Sequence, residues 1–412
     1  MNLFKFIWNR WRRTSLVIRI LAGLALGVVL GLTVPHLEFI GILGTLFVSA
    51  LKAIAPILVA VLVAAAIAHA QQGLGPRFRT VIILYMLATL LAAVVAVVAS
   101  FLFPVDIALS KEAARDHAPD GLYEVFCQLA VSMVSNPLQS VSNANYLGVL
   151  FWAVVAGLAL KLKASRTTLL VLDDLSDVIS QAIRWVIQFA PFGILGLVFT
   201  SVSESGLDIF TTYGRLLLLL VGTMLCSALV VNPLIVFLCL RRNPYPLVWE
   251  CLKESGVSAF FTRSSAANIP VNMALCKRMG IEQNFYAVSI PLGATINMNG
   301  AAVTITVMTL ALCHTLGIQV HPLAALALCP IATLAACGTS GVAGGSLLLI
   351  PLAASLFGIP GDTAMQAVAV GFIIGVVQDS VETALNSSGD ALFTLTAEYY
   401  DKRRAKTGRE KE

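Results

Sequence analysis

Long apolar runs alternate with short polar breaks along this chain, near residues 15–34, 39–68, 79–103, 145–163, 169–203 and 212–240. Each run can supply the roughly 20 residues that a helix needs to cross a bilayer core. Beyond 240 the pattern changes. Residues 247–280 hold two short halves around Thr262-Arg263-Ser264-Ser265. Residues 322–358 hold two more around 338–346, where four of nine positions are glycine. Glycine and hydroxyl residues at that density disfavour a continuous helix. The halves 322–337 and 347–358 have 16 and 12 residues. At about 1.5 Å per residue neither comfortably spans a core of about 30 Å. They read as re-entrant hairpins on either side of a seventh run at 285–316, with an eighth at 363–397.

The predicted fold is therefore an all-α polytopic membrane protein with eight transmembrane helices and two re-entrant helical hairpins. Irregular backbone at membrane depth persists only inside protein or beside a water-filled cavity. Two tips pointing inward from opposite faces imply inverted repeats around a midplane site. Glycine-rich packing segments without a binding role are the simpler alternative.

The eighth run carries Asp379, Thr383, Asn386 and Asp390 at spacings of four, three and four residues. That spacing stacks them on one helical face. An ionised Asp at mid-membrane costs about 2.5–3.5 kcal/mol on the lenient insertion scale, so two on one stripe point to a partner, an ion or a polar ligand. Glu382 lies beside the stripe, Arg263-Ser264-Ser265 forms the first tip, and Asn297 and Asn299 interrupt the seventh run within Thr295 to Gly300. Oxygen donors without His or Cys suit a hard cation such as Na⁺. Exposed N–H groups at helix ends can hold a carboxylate, and a carboxylate can hold an ammonium. Together these describe a zwitterionic amino acid.

Composition narrows the class further. Hydrophobic residues are 58% of the chain and charged ones 12%, and the mean hydropathy is +0.88. Residues 283–361 contain no Asp, Glu, Lys or Arg, which excludes an ordinary soluble domain. The net charge of +5 implies no nucleic acid, because the bases sit at the ends and in short loops: Arg10, Arg12, Arg13 and Arg19 in front, Lys402, Arg403, Arg404, Lys406, Arg409 and Lys411 behind. That distribution predicts two cytoplasmic termini. The loop 104–144 has five acids against Lys111 and Arg115 and is predicted to lie outside. Arg12-Arg13 has the outline of a twin-arginine export signal, but the run behind it suits a retained span better. Eight scattered cysteines read as small buried hydrophobes.

On Ser264-Ser265 with Pro270, the run Thr295 to Gly300, the tip Gly338 to Gly345 and Asp379 through Asp390, the chain resembles the dicarboxylate/amino-acid:cation symporters, which have the glutamate-transporter fold. Within them it is similar to the bacterial members that carry serine and threonine with Na⁺. The resemblance covers essentially the whole chain. It implies a transporter in the bacterial inner membrane and no enzyme, with L-serine and L-threonine as substrates, Na⁺ as coupling ion, no organic cofactor, and a homotrimer. It implies scaffold spans in 1–75 and 145–210, a transport domain in 76–103 and 211–398, an extracytoplasmic loop 104–144 and a basic cytoplasmic tail 399–412. It also implies roles. Ser265, Gly341 and Val342 would hold the substrate carboxylate, Asp379 its amino group, Thr383 its side chain, and Asn386 its α-groups. Na⁺ would sit at Asn297, Asn386 and Asp390, and a second at Thr295 and Thr339.

Two departures matter. Members that take acidic substrates carry Arg where this chain has Glu382. A fixed negative charge there would repel a side-chain carboxylate, and Arg263 is expected to pair with Glu382 and neutralise the pocket. Asn299 stands where the family motif usually has Asp, and Met86 and Leu90 align with ion-site Tyr and Ser positions of the family, leaving only Thr89. Fewer coupled Na⁺ are expected than in the glutamate carriers. Alternatives remain open: a Na⁺- or H⁺-coupled carrier of dicarboxylates or acidic amino acids, a passive channel, or a rhomboid-like protease built on Gly338-Thr339-Ser340-Gly341. The protease needs a general-base His in reach, and His69, His314 and His321 lie at span ends or loops.

Overall fold

The computed structural model describes residues 14, 16–69, 76–107, 109, 131, 134–143, 145–206, 209–339 and 344–409. Gly341, Val342 and Ser340 lie outside the described residues, as do Arg10, Arg12, Arg13, Lys411 and most of the expected outer loop. The described residues form helices and no strand. In chain order these are α1 (Leu16–Thr33), α2 (Gly41–Ala68), α3 (Pro76–Leu102), α4 (Pro137–Ser142), α5 (Tyr146–Lys163), α6 (Arg166–Gln188) and α7 (Ala190–Ser205). Then come α8 (Ile209–Cys226), which runs through a π turn into α9 (Asn232–Leu240), and α10 (Tyr245–Cys251), which runs through another into α11 (Val257–Thr262). The chain ends with α12 (Ser265–Arg278), α13 (Gln283–Ile296), α14 (Asn299–Thr315), α15 (Pro322–Ala336), α16 (Ile350–Ala354) and α17 (Gly361–Arg409).

Among the described residues, five helical stretches are long and apolar enough to cross a membrane: Glu38–Ala65, Arg77–Leu102, Phe210–Leu240, Gln283–Thr315 and Gly361–Arg404. A sixth results if α6 and α7 count as one span. The single run expected at 169–203 is in fact bent by 51° between them. Pro191 in the first turn of α7 has no N–H to continue the α6 ladder.

The stretches differ in what surrounds them. In Gln283–Thr315, 94% of the apolar window is buried, against 38% in Glu38–Ala65. So α13 and α14 are wrapped in protein, whereas α2 presents side chains such as Leu46 and Ile57 outward.

Two packing groups result. In one, α2 packs on α5, α6 and α7, and α1 lies along α7. That last contact is made by glycine. A Cβ on Gly23 would sit 2.1 Å from the Pro191 carbonyl oxygen, and one on Gly27 would sit 2.7 Å from that of Leu195. Glycines four residues apart let two backbones touch where apolar bulk alone gives no driving force in lipid. In the other group α14 packs on α3, α15 and α17, and α17 also meets α8, α11, α12 and α13. Phe47 and Phe372 join the groups edge to face at 5.1 Å.

Three local breaks set the position of the site. Arg263, left-handed at φ 52°, turns the chain between α11 and α12, and the Ser264 hydroxyl caps α12 by accepting from Ala267 N at 3.2 Å. Asn297 and Met298 leave helical geometry between α13 and α14. The third break separates α15 from α16. Helices α12 and α15 have 14 and 15 residues, so each is only about 21–23 Å long.

The basic tail continues α17 as helix to Arg409. Good helix formers and the i,i+4 pair of Glu398 with Lys402 at 3.0 Å support it.

Candidate functional site

Asp379, Thr383, Asn386 and Asp390 are all buried on one face of α17. Opposite them lie the α13–α14 break, the Arg263 turn and Ser346.

The lower end of the stripe is bound to the break. Asn297 Nδ2 donates to the Asn386 carbonyl and to Asp390 Oδ1, both at 2.9 Å. Gly300 N donates to Asn386 Oδ1 at 2.7 Å, so the first turn of α14 is anchored on α17. Gly389 permits this approach, since a Cβ there would lie 2.6 Å from Asn297 Nδ2. Two oxygens are left over. Asp390 Oδ2 and Asn297 Oδ1 are buried without a partner. A buried acceptor left unmet costs about 1–3 kcal/mol, more when charged. Oxygen atoms of this kind are the donors a hard cation takes.

Asn299, two residues on, differs. Its Oδ1 lies 2.9 Å from the Thr89 hydroxyl and its Nδ2 donates to Asn232 Oδ1 at 3.3 Å. The Thr89 oxygen also takes Met298 N at 3.2 Å. Neutral protein groups thus satisfy Asn299 on both sides.

The upper end holds an ion pair and a second carboxylate. Arg263 donates from Nε at 2.7 Å and from Nη2 at 2.6 Å to Asp379 Oδ2. Gly344 N approaches Asp379 Oδ1 at 3.4 Å. This corrects the expected pairing of Arg263 with Glu382. The two carboxylates are three residues apart on one helix, and the left-handed turn brings the guanidinium to the nearer one. Glu382 instead points at α14. Its Oε2 accepts from Thr304 Oγ1 at 2.7 Å, Ser346 Oγ at 2.8 Å and Gln378 Nε2.

The remaining expected residues fall as follows. Ser265 is buried at the first position of α12. The Thr383 hydroxyl donates to the Asp379 carbonyl one turn back, at 2.7 Å. Among the described residues, the Thr295 and Thr339 hydroxyls bond only locally, to the carbonyls of Leu292 and Ala336. Cys337 Sγ, 3.9 Å from the Ile296 carbonyl, links their two segments.

Sequence reasoning missed Gln378, Thr304 and Ser346. Gln378 was visible as a polar residue one turn before Glu382, but it stands directly beside Asp379, which took the weight. A second polar cluster was also missed. Asn268 and Asn272 of α12 donate to Ser387 Oγ at 2.8 and 3.1 Å, fixing α12 to α17. Their i,i+4 spacing on one helix was its only signal.

His69, His314 and His321 sit at helix ends. His314 pairs with Asp106 at 2.9 Å, His69 with Asp173 at 2.7 Å, and His321 caps Leu323 N.

Comparison with known proteins identifies the family. Residues 16–399 match the sodium:dicarboxylate symporter family. A protein of Bifidobacterium adolescentis named serine/threonine transporter SstT is 59% identical over 386 residues, which is 94% of this chain and 90% of that one. Relatives of the same name in Streptococcus thermophilus and Streptococcus agalactiae are 54% identical over 391 and 389 residues. They are matched over 97% and 96% of their length, by 95% and 94% of this chain. The buried carboxylate stripe, the broken α13–α14 helix and this likeness lead to one conclusion: the chain belongs to the sodium:dicarboxylate symporter family.

Proposed function

We propose that the protein is a secondary active transporter that couples uptake of L-serine and L-threonine to Na⁺ across the bacterial inner membrane. Both termini are cytoplasmic in this reading. The names of the relatives at 54–59% identity support the substrates, and the family's own name supports Na⁺. The observation that carries the coupling is the pair of buried, unpartnered oxygens on Asn297 and Asp390. With the Asn386 carbonyl beside them, they would hold Na⁺. Thr295 and Thr339 would contribute to a second site.

In this reading α10–α12 and α15–α16 are the two re-entrant hairpins, and eight spans surround them. The group around α14 and α17 is the moving transport domain, and α1, α2 and α5–α7 are the static scaffold of a homotrimer. Asp379 receives the substrate ammonium in place of Arg263. Ser265, Gly341 and Val342 receive its carboxylate, Asn386 its α-groups, and Thr383 lines the side-chain pocket.

Glu382 supports neutral substrates over acidic ones. Arg263, a guanidinium in the same pocket, favours the second reading, a carrier of acidic substrates. Titration of the purified protein with L-serine, L-threonine and L-aspartate at several Na⁺ concentrations separates the two. The proposal expects Na⁺-dependent binding of serine and threonine. Tighter binding of aspartate, or serine binding indifferent to Na⁺, overturns it.

A further inference from the structure

Three neutral donors from separate segments meet on one oxygen of Glu382. Thr304 comes from α14, Ser346 follows the α15 break, and Gln378 lies one turn earlier on α17. Gln378 Nε2 also donates to Thr304 Oγ1 at 2.7 Å, which closes a ring of contacts. All four side chains are buried.

Two details go beyond the satisfaction of a buried acid. Gln378 Oε1 is buried without a partner. A planar carboxamide that turns its nitrogen toward a carboxylate turns its oxygen away. Its orientation is therefore set by Glu382, although its own acceptor goes unmet. The second detail concerns Glu382 Oε1. It takes no hydrogen bond among the described residues. One oxygen of this carboxylate is pinned, and among the described residues the other carries no hydrogen bond.

We infer that Gln378, Thr304 and Ser346 are positioning residues that pin Glu382 Oε2 and present Oε1 to the side-chain hydroxyl of the substrate. This rests on the serine and threonine reading above. An ionised carboxylate is acceptor-only, so Oε1 can take the O–H of serine or threonine. Alanine offers a methyl hydrogen there and leaves a charged acceptor unmet. A site built around a substrate hydroxyl rejects the analogue lacking it for this reason. Glu382 then has two effects: it repels acidic side chains, and it selects a hydroxyl against hydrogen.

The test compares L-serine and L-alanine affinities, by calorimetry in saturating Na⁺, for the wild type, Thr304→Val, Thr304→Ser and Gln378→Leu. Valine is nearly isosteric and lacks the donor; serine keeps it. Loss of one hydrogen bond to a charged group lowers the serine-to-alanine affinity ratio about tenfold in Thr304→Val and Gln378→Leu. Thr304→Ser retains the wild-type ratio. A purely structural network would weaken both amino acids equally. An unchanged ratio in a variant that still binds both overturns the inference, as does a wild type with no preference for serine. A wild type that binds neither amino acid overturns the proposed function itself. If Gln378→Leu does not fold, the two Thr304 variants decide.

Discussion

Arg263 places two guanidinium nitrogens, at 2.7 and 2.6 Å, on a single oxygen of Asp379. Asp379 is the residue proposed to receive the substrate ammonium, so the guanidinium competes with the substrate for it. Removing one partner of a buried pair costs about 3–5 kcal/mol. Arg263→Gln is therefore expected to lower the melting temperature of the substrate-free protein. It is also expected to enlarge the stabilisation given by L-serine, which then meets an unpaired Asp379. A thermal-shift series with and without serine reads both effects. A smaller serine shift than in the wild type would contradict the competition.

The charge at Glu382 is expected to set the substrate class. Glu382→Arg replaces a repelling carboxylate with a cation able to hold a side-chain carboxylate in bidentate fashion. The variant is expected to lose serine uptake and gain aspartate uptake in proteoliposomes. No gain in aspartate affinity, in a variant that still folds and binds Na⁺, would count against Glu382 as the selector.

Asn299 bears on the number of ions. Thr89 and Asn232 occupy its side chain on both sides, and no carboxylate stands at this position. The protein is expected to couple fewer Na⁺ than a carrier with an Asp there. A Hill coefficient can rise to the number of coupled sites, so a Na⁺ value of about three for serine uptake would contradict this.

How much of this was legible in the sequence depended on the range of each interaction. The stripe from Asp379 to Asp390 was legible because i,i+3 and i,i+4 spacing is a property of one helix. The break at Asn297 was legible because carboxamides interrupt an apolar run. The partner of Arg263 was not, since Asp379 and Glu382 share a face and only the left-handed turn decides between them. The bend near Phe189 was hidden because hydropathy averages over a Pro that interrupts the ladder. The approach of α1 to α7 was hidden too, because glycines within an apolar run look the same whether or not a second backbone lies against them.

That approach yields a stability prediction. A Cβ on Gly23 would meet the Pro191 carbonyl at 2.1 Å, and backbone cannot rotate away as a side-chain tip can. Gly23→Ala is expected to destabilise the fold by about 1–3 kcal/mol, the usual range for overpacking. Thermal denaturation of the detergent-purified variant measures it. A melting temperature equal to that of the wild type would show that α1 can move off α7 freely.

A Na⁺ gradient is expected to drive serine through this protein, with Asp390 as an ion ligand. Uphill accumulation of L-serine in proteoliposomes, with an inward Na⁺ gradient as the sole driving force, tests it most directly. The wild type is expected to concentrate serine above the external level, to stop when K⁺ replaces Na⁺, and to need at least about tenfold more Na⁺ as Asp390→Asn. Serine that only equilibrates, or that accumulates equally in K⁺, would contradict the account.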